Sequence, residues 1–203
     1  MEAFFIHSET PVTNGLLNIV AHLPTKSLAK VIDVKFFSRL SDVDFMRVAV
    51  LLAQKSYDEG GCPIGGVVVH NTTRQILGKG HNTLVQENHP YNHGETSAIR
   101  DAGSIDFSVT TMFTTLTPCN VCACLLVERG FARVVIGNSP NASHNEAQLR
   151  SQGVQVDLLP DVLGVEIYSR FQQERPELDL IDWGGVAALR KRPTISTGHF
   201  RQE

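Results

Sequence analysis

The spacing of one histidine and two cysteines constrains this chain more than any other feature of its sequence. Residues 93–95 read His-Gly-Glu, and residues 118–122 read Pro-Cys-Asn-Val-Cys. Imidazole and thiolate are ligands that Zn²⁺ prefers, and three protein ligands leave the fourth tetrahedral position to a water molecule. The metal lowers the pKa of that water until hydroxide forms near neutral pH. The pattern therefore predicts a catalytic site for one Zn²⁺ per subunit, with His93, Cys119 and Cys122 as its ligands.

Glu95 lies two residues from this histidine and is not needed as a ligand. A carboxylate at that position can move protons between a metal-activated water and a substrate, as general base and then as general acid. A structural zinc site would need a second Cys-x-x-Cys pair, which the sequence lacks, and a redox pair would have no use for the His-x-Glu segment. We therefore predict that Glu95 is the catalytic residue.

Composition excludes several other classes of protein. At 203 residues, with 42% hydrophobic and 19% charged residues, the chain has the profile of one ordinary globular domain. Its net charge of −3 lacks the basic excess of nucleic-acid-binding proteins, so no nucleic-acid partner is expected. A secretory signal is not expected, because the first residues do not form a basic start followed by an apolar stretch. The apolar runs of the sequence are too short for a membrane span. We therefore predict a cytoplasmic protein without membrane contact.

The cysteines also indicate a reducing compartment. Apart from the two proposed ligands, the chain has only Cys62 and Cys124, which are expected at a strand start and within a helix. This is not the pattern of a disulfide framework. Cys124 lies two positions from Cys122 and therefore on a different side of the same helix, which predicts a small core residue.

Turn residues and hydrophobic periodicity divide the chain into helices and strands. Ser41, with Asp44 three positions later, predicts a helix start, and the pair Gly60-Gly61 predicts the end of that helix. In all, we predict five helices and five strands in an order typical of an α/β protein with three layers, α/β/α. Two of the helices begin at His93 and Cys119, at the same edge of the sheet, where such sheets bind their ligands.

Taken together, these residues resemble the cytidine deaminase superfamily, and within it fungal-type cytosine deaminase. His-x-Glu followed by Pro-Cys-x-x-Cys is the signature of zinc-dependent base deaminases. The resemblance runs from about Asp44 to Gly184. It rests on residues 58–66, 77–82, 93–95, 115–122 and 174–176, together with Asp182. It implies a cytidine-deaminase-like fold with a mixed five-stranded central sheet, and a homodimer.

The resemblance also implies roles around the substrate. Asn82 would hydrogen-bond the edge of the base, the backbone of Gly94 would contact the ring carbonyl, and Asp182 would contact the amino group. Ile64 and Thr117 would complete the substrate pocket. From the residues alone, Asn82 is also suited to stabilising its own loop, and Asp182 to a solvated turn or a helix cap.

Two positions depart from the family pattern. The family closes its pocket with a phenylalanine after the fourth strand and a tryptophan near the C-terminus, where this chain has Asn141–Ser143 and Asp179. Trp183 is nearby but out of register. The loss of both aromatic side chains predicts a larger or differently shaped substrate, with Asp179 as a candidate selectivity residue.

The resemblance divides the chain into an N-terminal extension (1–41), a zinc-dependent deaminase domain (42–185) and a C-terminal tail (186–203). In the extension, residues 10–15 read as a turn and residues 16–22 as a short helix. The reaction implied is hydrolytic deamination of a free nucleobase or related amino-heterocycle, cytosine-like, with release of ammonia.

Two other functions stay open at the level of the sequence. One is a nucleic-acid deaminase of the tRNA type, for which only the basic run Arg190–Arg192 provides a hint of a basic groove. The other is a catalytically silent deaminase fold that acts as a dimeric binding module, or as a zinc-stabilised regulatory subunit that uses the N-terminal extension. The intact Glu95 is a reason against the second, because a module of that kind needs the metal and not the proton-transferring carboxylate.

Overall fold

A mixed sheet of five strands forms the centre of the molecule. The structure is a computed structural model, and it describes residues 11–31, 37–139 and 144–189. Its strands are β1 (Gly65–His70), β2 (Ile76–His81), β3 (Thr110–Thr114), β4 (Arg133–Ile136) and β5 (Gln155–Leu158). They lie in the order β2-β1-β3-β4-β5. β1 is antiparallel to both β2 and β3, whereas β3, β4 and β5 run parallel. The predicted mixed five-stranded sheet is confirmed.

Helices cover both faces of this sheet. They are α1 (Pro11–His22), α2 (Thr25–Val31), α3 (Asp42–Asp58), α4 (Gly94–Ala102), α5 (Asn120–Glu128), α6 (His144–Ser151), α7 (Val162–Glu174) and α8 (Pro176–Leu189). Among the described residues, none of the helices is both long enough and apolar enough to cross a bilayer.

Side chains that alternate along the strands separate the two halves of the core. Val67 and Val69 of β1 pack with α1 and α3 on one face, whereas Val68 packs with α4, α5 and α6 on the other. β3 follows the same rule, since Phe113 belongs to the first cluster and Met112 to the second. The molecule therefore has the predicted three layers, α/β/α.

Helix α3 begins and ends as its sequence predicts. The side chain of Ser41 accepts a hydrogen bond from the backbone of Asp44, and Asp44 in turn accepts one from the backbone of Ser41. This reciprocal pair satisfies two N–H groups that the first turn of a helix leaves unpaired. At the other end, Gly60 has a φ of 90°, a left-handed conformation that glycine adopts without steric cost.

The N-terminal region differs from its prediction. The turn expected at residues 10–15 is wrong from Pro11 onward, because α1 begins there, and α2 was not expected. Proline is tolerated in the first turn of a helix, where its missing N–H has no partner to lose. Leu17 and Val20 are buried against the core formed by α3, so tertiary packing stabilises a helix that its own sequence signals poorly.

A buried lysine fastens α1 to the sheet. The Nζ atom of Lys79, on β2, donates hydrogen bonds to the carbonyls of Val20 and Ala21 at 2.6 and 2.5 Å, in the last turn of α1. A cation is favourable at that end of a helix, where the carbonyls carry partial negative charge. Thr25, at the start of α2, donates to Asp101 of α4. Lys79 therefore binds α1 to the sheet, and Thr25 binds α2 to the helix that carries Glu95.

Two further expectations are changed by tertiary packing. Cys124 is exposed, so its expected place in the core is wrong, because α5 buries the side that carries Cys122, Ala123 and Leu126. Helix α8 was not predicted, and the domain boundary expected at residue 185, which falls within this helix, stays a prediction.

Candidate metal and substrate site

The proposed metal ligands lie at the starts of two helices on the same edge of the sheet. His93 is the N-cap residue of α4, and Cys119 is the N-cap residue of α5. An N-cap side chain commonly accepts a hydrogen bond from the first turn of its own helix, but neither of these does. Both side chains are therefore free to point towards each other. Cys122, in the first turn of α5, completes the group.

The geometry of this group fits zinc. The Nδ1 atom of His93 is 3.5 Å from Sγ of Cys119 and 3.6 Å from Sγ of Cys122, and the three ligand atoms lie within 4.8 Å of one another. Tetrahedral zinc with the usual Zn–N and Zn–S bond lengths separates an N from an S ligand by about 3.6 Å. Three converging ligands of these types, with a fourth position left over, suit Zn²⁺ as the cofactor.

The side chains of the three ligands have different pKa values in the metal-free site. A hydrogen bond from Cys122 lowers the pKa of Cys119 to about 4, although burial opposes the shift. That same hydrogen bond, together with burial, raises the pKa of Cys122 well above its ordinary value. Burial alone would lower the pKa of His93, but its hydrogen bond to Cys119 and the charge of Asp182 raise it to about 9. Metal binding must therefore displace protons from Cys122 and His93.

Glu95 lies in the first turn of α4 with only 3% of its surface exposed. Burial, and then the negative charge of Cys119, raise its pKa to about 7. The Oγ1 hydroxyl of Thr114 donates a hydrogen bond of 3.1 Å to Oε1 of Glu95 and holds the carboxylate in one orientation. A carboxylate with a pKa near neutrality can both accept and return a proton. Thr114 was not identified from the sequence, where it reads as an ordinary strand residue.

Two glycines allow the start of α4 to approach β1 closely. A Cβ atom on Gly66 would lie 2.6 Å from the carbonyl oxygen of Gly94, so no larger residue fits there without displacing the helix. A Cβ on Gly94 would lie 3.1 Å from the carbonyl oxygen of Ile64. This contact places the backbone of Gly94 beside the buried Ile64, and the contact of both residues with a substrate stays a prediction.

The other side of the site comes from α8. Oδ1 of Asp182 accepts a hydrogen bond of 2.7 Å from Nδ2 of Asn82 and lies 3.9 Å from Nε2 of His93. The side chain of Asp182 is 7% exposed, and burial raises its pKa to about 6. A solvated turn or a cap is therefore the wrong description, because Asp182 lies inside a helix and faces the metal ligands.

Asn82 orders its own loop, which is one of the two roles that its sequence left open, and its contact with a base stays a prediction. It is fully buried, and its Oδ1 accepts a hydrogen bond of 3.0 Å from the backbone of Leu84 in the following loop. Its Nδ2 reaches across to Asp182. The amide therefore orders its own loop and orients the carboxylate on the opposite side of the site.

Two other predicted pocket residues have partners elsewhere. Asp179 accepts hydrogen bonds from the Tyr168 hydroxyl at 2.6 Å and from Nε2 of Gln172 at 3.2 Å, so its carboxylate is bound to α7. Thr117 donates from its backbone to the carbonyl of Asn138, and its hydroxyl is 3.3 Å from Oε1 of Glu146. The segment 141–143, expected to shape the pocket, lies outside the described residues, as does the basic run 190–192.

Asn145 is a supporting residue that the sequence did not indicate. It is buried at the start of α6, and its Nδ2 donates a hydrogen bond of 2.8 Å to the carbonyl of Pro118, directly before Cys119. The contact joins residues 27 positions apart, so no local pattern could have predicted it. It fixes the loop from which the cysteine ligands emerge.

Comparisons with known proteins agree with this geometry. Residues 40–138 match the family model described as the cytidine and deoxycytidylate deaminase zinc-binding region. Cytosine deaminase from Candida albicans is 37% identical over 141 residues, which is 68% of this chain and 91% of that protein. A tRNA-specific adenosine deaminase from Buchnera aphidicola is 35% identical over 101 residues, or 48% of this chain and 61% of that protein.

Solved structures share the fold at lower identity. Guanine deaminase from Nitrosomonas europaea superposes with a TM-score of 0.57 at 15% identity, covering 66% of this chain and 84% of that one. A structure from a study of A-to-I editing by tRNA:A34 deaminases gives a TM-score of 0.53 at 20% identity, covering 62% and 99%. At such identities the likeness supports the three-layer fold and does not distinguish substrates.

Proposed function

Because the chain belongs to the cytidine and deoxycytidylate deaminase family, we propose that it is a hydrolytic deaminase of a free nucleobase or related amino-heterocycle. In this reaction water replaces an exocyclic amine with a carbonyl, and the amine leaves as ammonia. The observation that carries the proposal is the pairing of a buried Glu95 beside the metal ligands with the Asp182 carboxylate, whose side chain is 7% exposed and whose Oδ1 lies 3.9 Å from Nε2 of His93. The match over most of the length of a cytosine deaminase supports a base as substrate.

The residues divide the work between proton transfer and substrate binding. Zn²⁺ held by His93, Cys119 and Cys122 supplies, when bound, a water molecule of lowered pKa. Glu95 accepts one proton from water and delivers it to a ring nitrogen. It then takes the second proton from the hydroxyl that has been added to the ring carbon and passes it to the amine, which leaves as ammonia while the carbonyl forms. The hydrogen bond from Thr114 to Oε1 holds the carboxylate of Glu95 in place for these proton transfers.

Asp182 and Asn82 orient the substrate in this proposal. A carboxylate oxygen accepts hydrogen bonds only, which suits the exocyclic amine, a donor. Asn82 keeps one amide hydrogen and one lone pair beyond its contacts with Asp182 and Leu84, and these suit the edge of a heterocycle. The absence of the family's two aromatic residues from their expected positions supports a substrate that is larger than cytosine or differently shaped. The proposal includes a homodimer with one Zn²⁺ per subunit.

Ammonia release by the zinc-loaded protein over a panel of free bases, nucleosides and cyclic amidines tests the proposal. Glu95→Gln is the matched control, since it keeps the shape of the side chain and removes its ability to move protons. We expect release from one class of free heterocycle and none from the variant. Release only from nucleosides, or release that persists in the variant, would contradict the assignment.

A tRNA substrate is the second candidate, because tRNA-specific adenosine deaminases are among the relatives. Conversion of adenosine to inosine in tRNA, measured beside the base panel, separates the two. Inosine formation with no ammonia from any free base would favour this candidate. Silence of both assays in a protein with full zinc content would favour a dimeric binding module.

A further inference from the structure

Arg175 is the single residue that separates α7 from α8. Its backbone serves both helices, since its N–H donates to the carbonyl of Phe171 at 2.8 Å and its carbonyl accepts from the N–H of Leu178 at 3.0 Å. The following Pro176 keeps Arg175 out of helical conformation, and its φ of −137° and ψ of 52° turn the chain between the two helices. The direction of α8 is therefore set at this residue.

The side chain of Arg175 anchors this junction to the end of α3. Its Nη1 donates to the carbonyls of Tyr57 and Gly61 at 3.0 and 3.4 Å, and its guanidinium carbon lies 4.3 Å from the centroid of the Tyr57 ring. Planar stacking and hydrogen bonds made together are a property of arginine that lysine lacks. The Tyr57 hydroxyl, in turn, donates to Glu174. We name the set Tyr57, Glu174 and Arg175 the junction clamp.

The junction clamp connects two segments that we expect to line the substrate site, which are residues 61–64 and helix α8. Gly61 leads directly into Cys62, whose Sγ is 3.8 Å from the carbonyl of Leu178 on α8, and then into Ile64. Further along, the carbonyl of Ile64 accepts from the backbone of Asn82, whose side chain binds Asp182. A chain of contacts therefore runs from the clamp to the carboxylate that faces His93.

The geometry makes the position of Asp182 sensitive to this clamp. At 1.5 Å per residue, Asp182 lies about 10 Å along α8 from Arg175, so a tilt of about 10° at the junction moves it by roughly 2 Å. A shift of that size breaks the 2.7 Å hydrogen bond from Asn82. Misplacement by about 1 Å in a catalytic site can cost about 100-fold in rate.

We propose that Arg175 is a positioning residue for the deaminase reaction, which fixes the direction of α8 and thereby the place of the Asp182 carboxylate. This inference rests on the proposed function for its kinetic consequence. Its structural consequence, the seating of α8, can be measured whether or not the substrate is known.

Arg175→Lys tests the inference, with Arg170→Lys as the matched control. Arg170 also stacks on Tyr57, at 4.6 Å, but it lies within α7 rather than at the junction. The first readout is the labelling rate of Cys62 by a thiol reagent in the zinc-loaded protein, resolved by peptide mass spectrometry. Cys62 is fully buried beside α8, so it reacts only when α8 moves. We expect Arg175→Lys to react about 10-fold faster than wild type, and Arg170→Lys to match wild type.

The second readout is a double-mutant cycle with Asp182→Asn. We expect Arg175→Lys to lower kcat/KM by about 10- to 100-fold at full zinc content, and the double variant to lose little beyond Asp182→Asn alone. If Arg175 only stabilised the fold, the loss of kcat/KM in the double variant would equal the product of the losses in the two single variants. Equal Cys62 labelling in the two arginine variants, or multiplying losses, would overturn the inference.

Two remaining outcomes are also decisive. Wild-type protein without deaminase activity would refute the proposed function, while faster Cys62 labelling in Arg175→Lys would still support the role of the clamp. If Arg175→Lys does not fold, Tyr57→Leu takes its place in both measurements. Failure of both variants to fold and retain zinc would identify the clamp as a determinant of stability, and the positioning role would then be rejected.

Discussion

The two sides of the candidate site are built in different ways. The metal side comes from the starts of α4 and α5, and two short motifs, His-x-Glu and Cys-x-x-Cys, predict its ligands. The opposite side comes from α8, whose Asp182 approaches His93 from a helix near the far end of the chain. The first side is specified by local sequence, whereas the second depends on how distant segments pack. We expect proton transfer to depend on the metal side, and differences in substrate to depend on the α8 side.

The largest effect should come from Glu95→Gln on the metal side. Because this change removes proton transfer and leaves all three ligands, kcat should fall by about 10³- to 10⁴-fold. Zinc content should stay at one ion per subunit, as measured by atomic absorption. A variant that lost its zinc would show that Glu95 also supports the metal site, and the two functions of the metal side could not then be separated.

The second prediction concerns the pH dependence of zinc binding. In the metal-free site, His93 has a pKa of about 9 and that of Cys122 is raised further, so both carry protons at neutral pH, whereas Cys119, with a pKa of about 4, does not. Binding therefore releases two protons, and the affinity should fall by about 100-fold for each unit that the pH decreases between about 8 and 6. Competition with a chelator of known affinity measures the slope.

A slope of one proton would mean that either His93 or Cys122 is already deprotonated in the metal-free protein. Asp182→Asn sharpens this measurement. It removes a negative charge that raises the pKa of His93, so the variant should release its imidazole proton at lower pH. An unchanged profile in this variant would show that the two sides of the site are electrostatically independent.

The third prediction addresses the α8 side directly. Asp182→Asn keeps the size of the side chain but replaces one acceptor oxygen with a donor, which would oppose the amine of the substrate. We expect kcat/KM to fall by about 100-fold, with zinc affinity at neutral pH reduced much less. If the variant instead changed which heterocycle is preferred, with little loss in rate, α8 would be a selectivity element and Asp182 would not assist catalysis.

The smallest effect should follow Asn145→Ala. The substitution removes the donor to the Pro118 carbonyl and leaves that buried acceptor unpaired, which should cost about 1–2 kcal/mol of stability. The loop that carries Cys119 should loosen, so zinc should dissociate faster, as followed by transfer to a colorimetric chelator. Gln148→Ala, on the same helix but at an exposed position, is the control. Equal rates in the two variants would show that the metal side needs no support from α6.

Prediction from the sequence succeeded wherever residues close in the chain decide the structure. The capping pair Ser41 and Asp44 fixed the start of α3, and the glycine at position 60 fixed its end. It failed for α1, where buried contacts and Lys79 support a helix that begins among turn residues. It also failed for Cys124, because the periodicity of α5 does not reveal which of its sides is covered.

The sequence by itself predicted the metal ligands and Glu95, because His-x-Glu and Pro-Cys-x-x-Cys are recognisable motifs even though 26 positions separate His93 from Cys119. It also predicted the layered α/β architecture, from the order of its helices and strands. Only the tertiary structure decided that Asn82 orients Asp182, that Asp179 is bound to α7, and that Asn145 supports Pro118. Of these, the contacts of Asn82 and Asn145 join residues 100 and 27 positions apart. Contacts over such separations depend on how whole helices pack against the sheet, and no local pattern of residues encodes that packing.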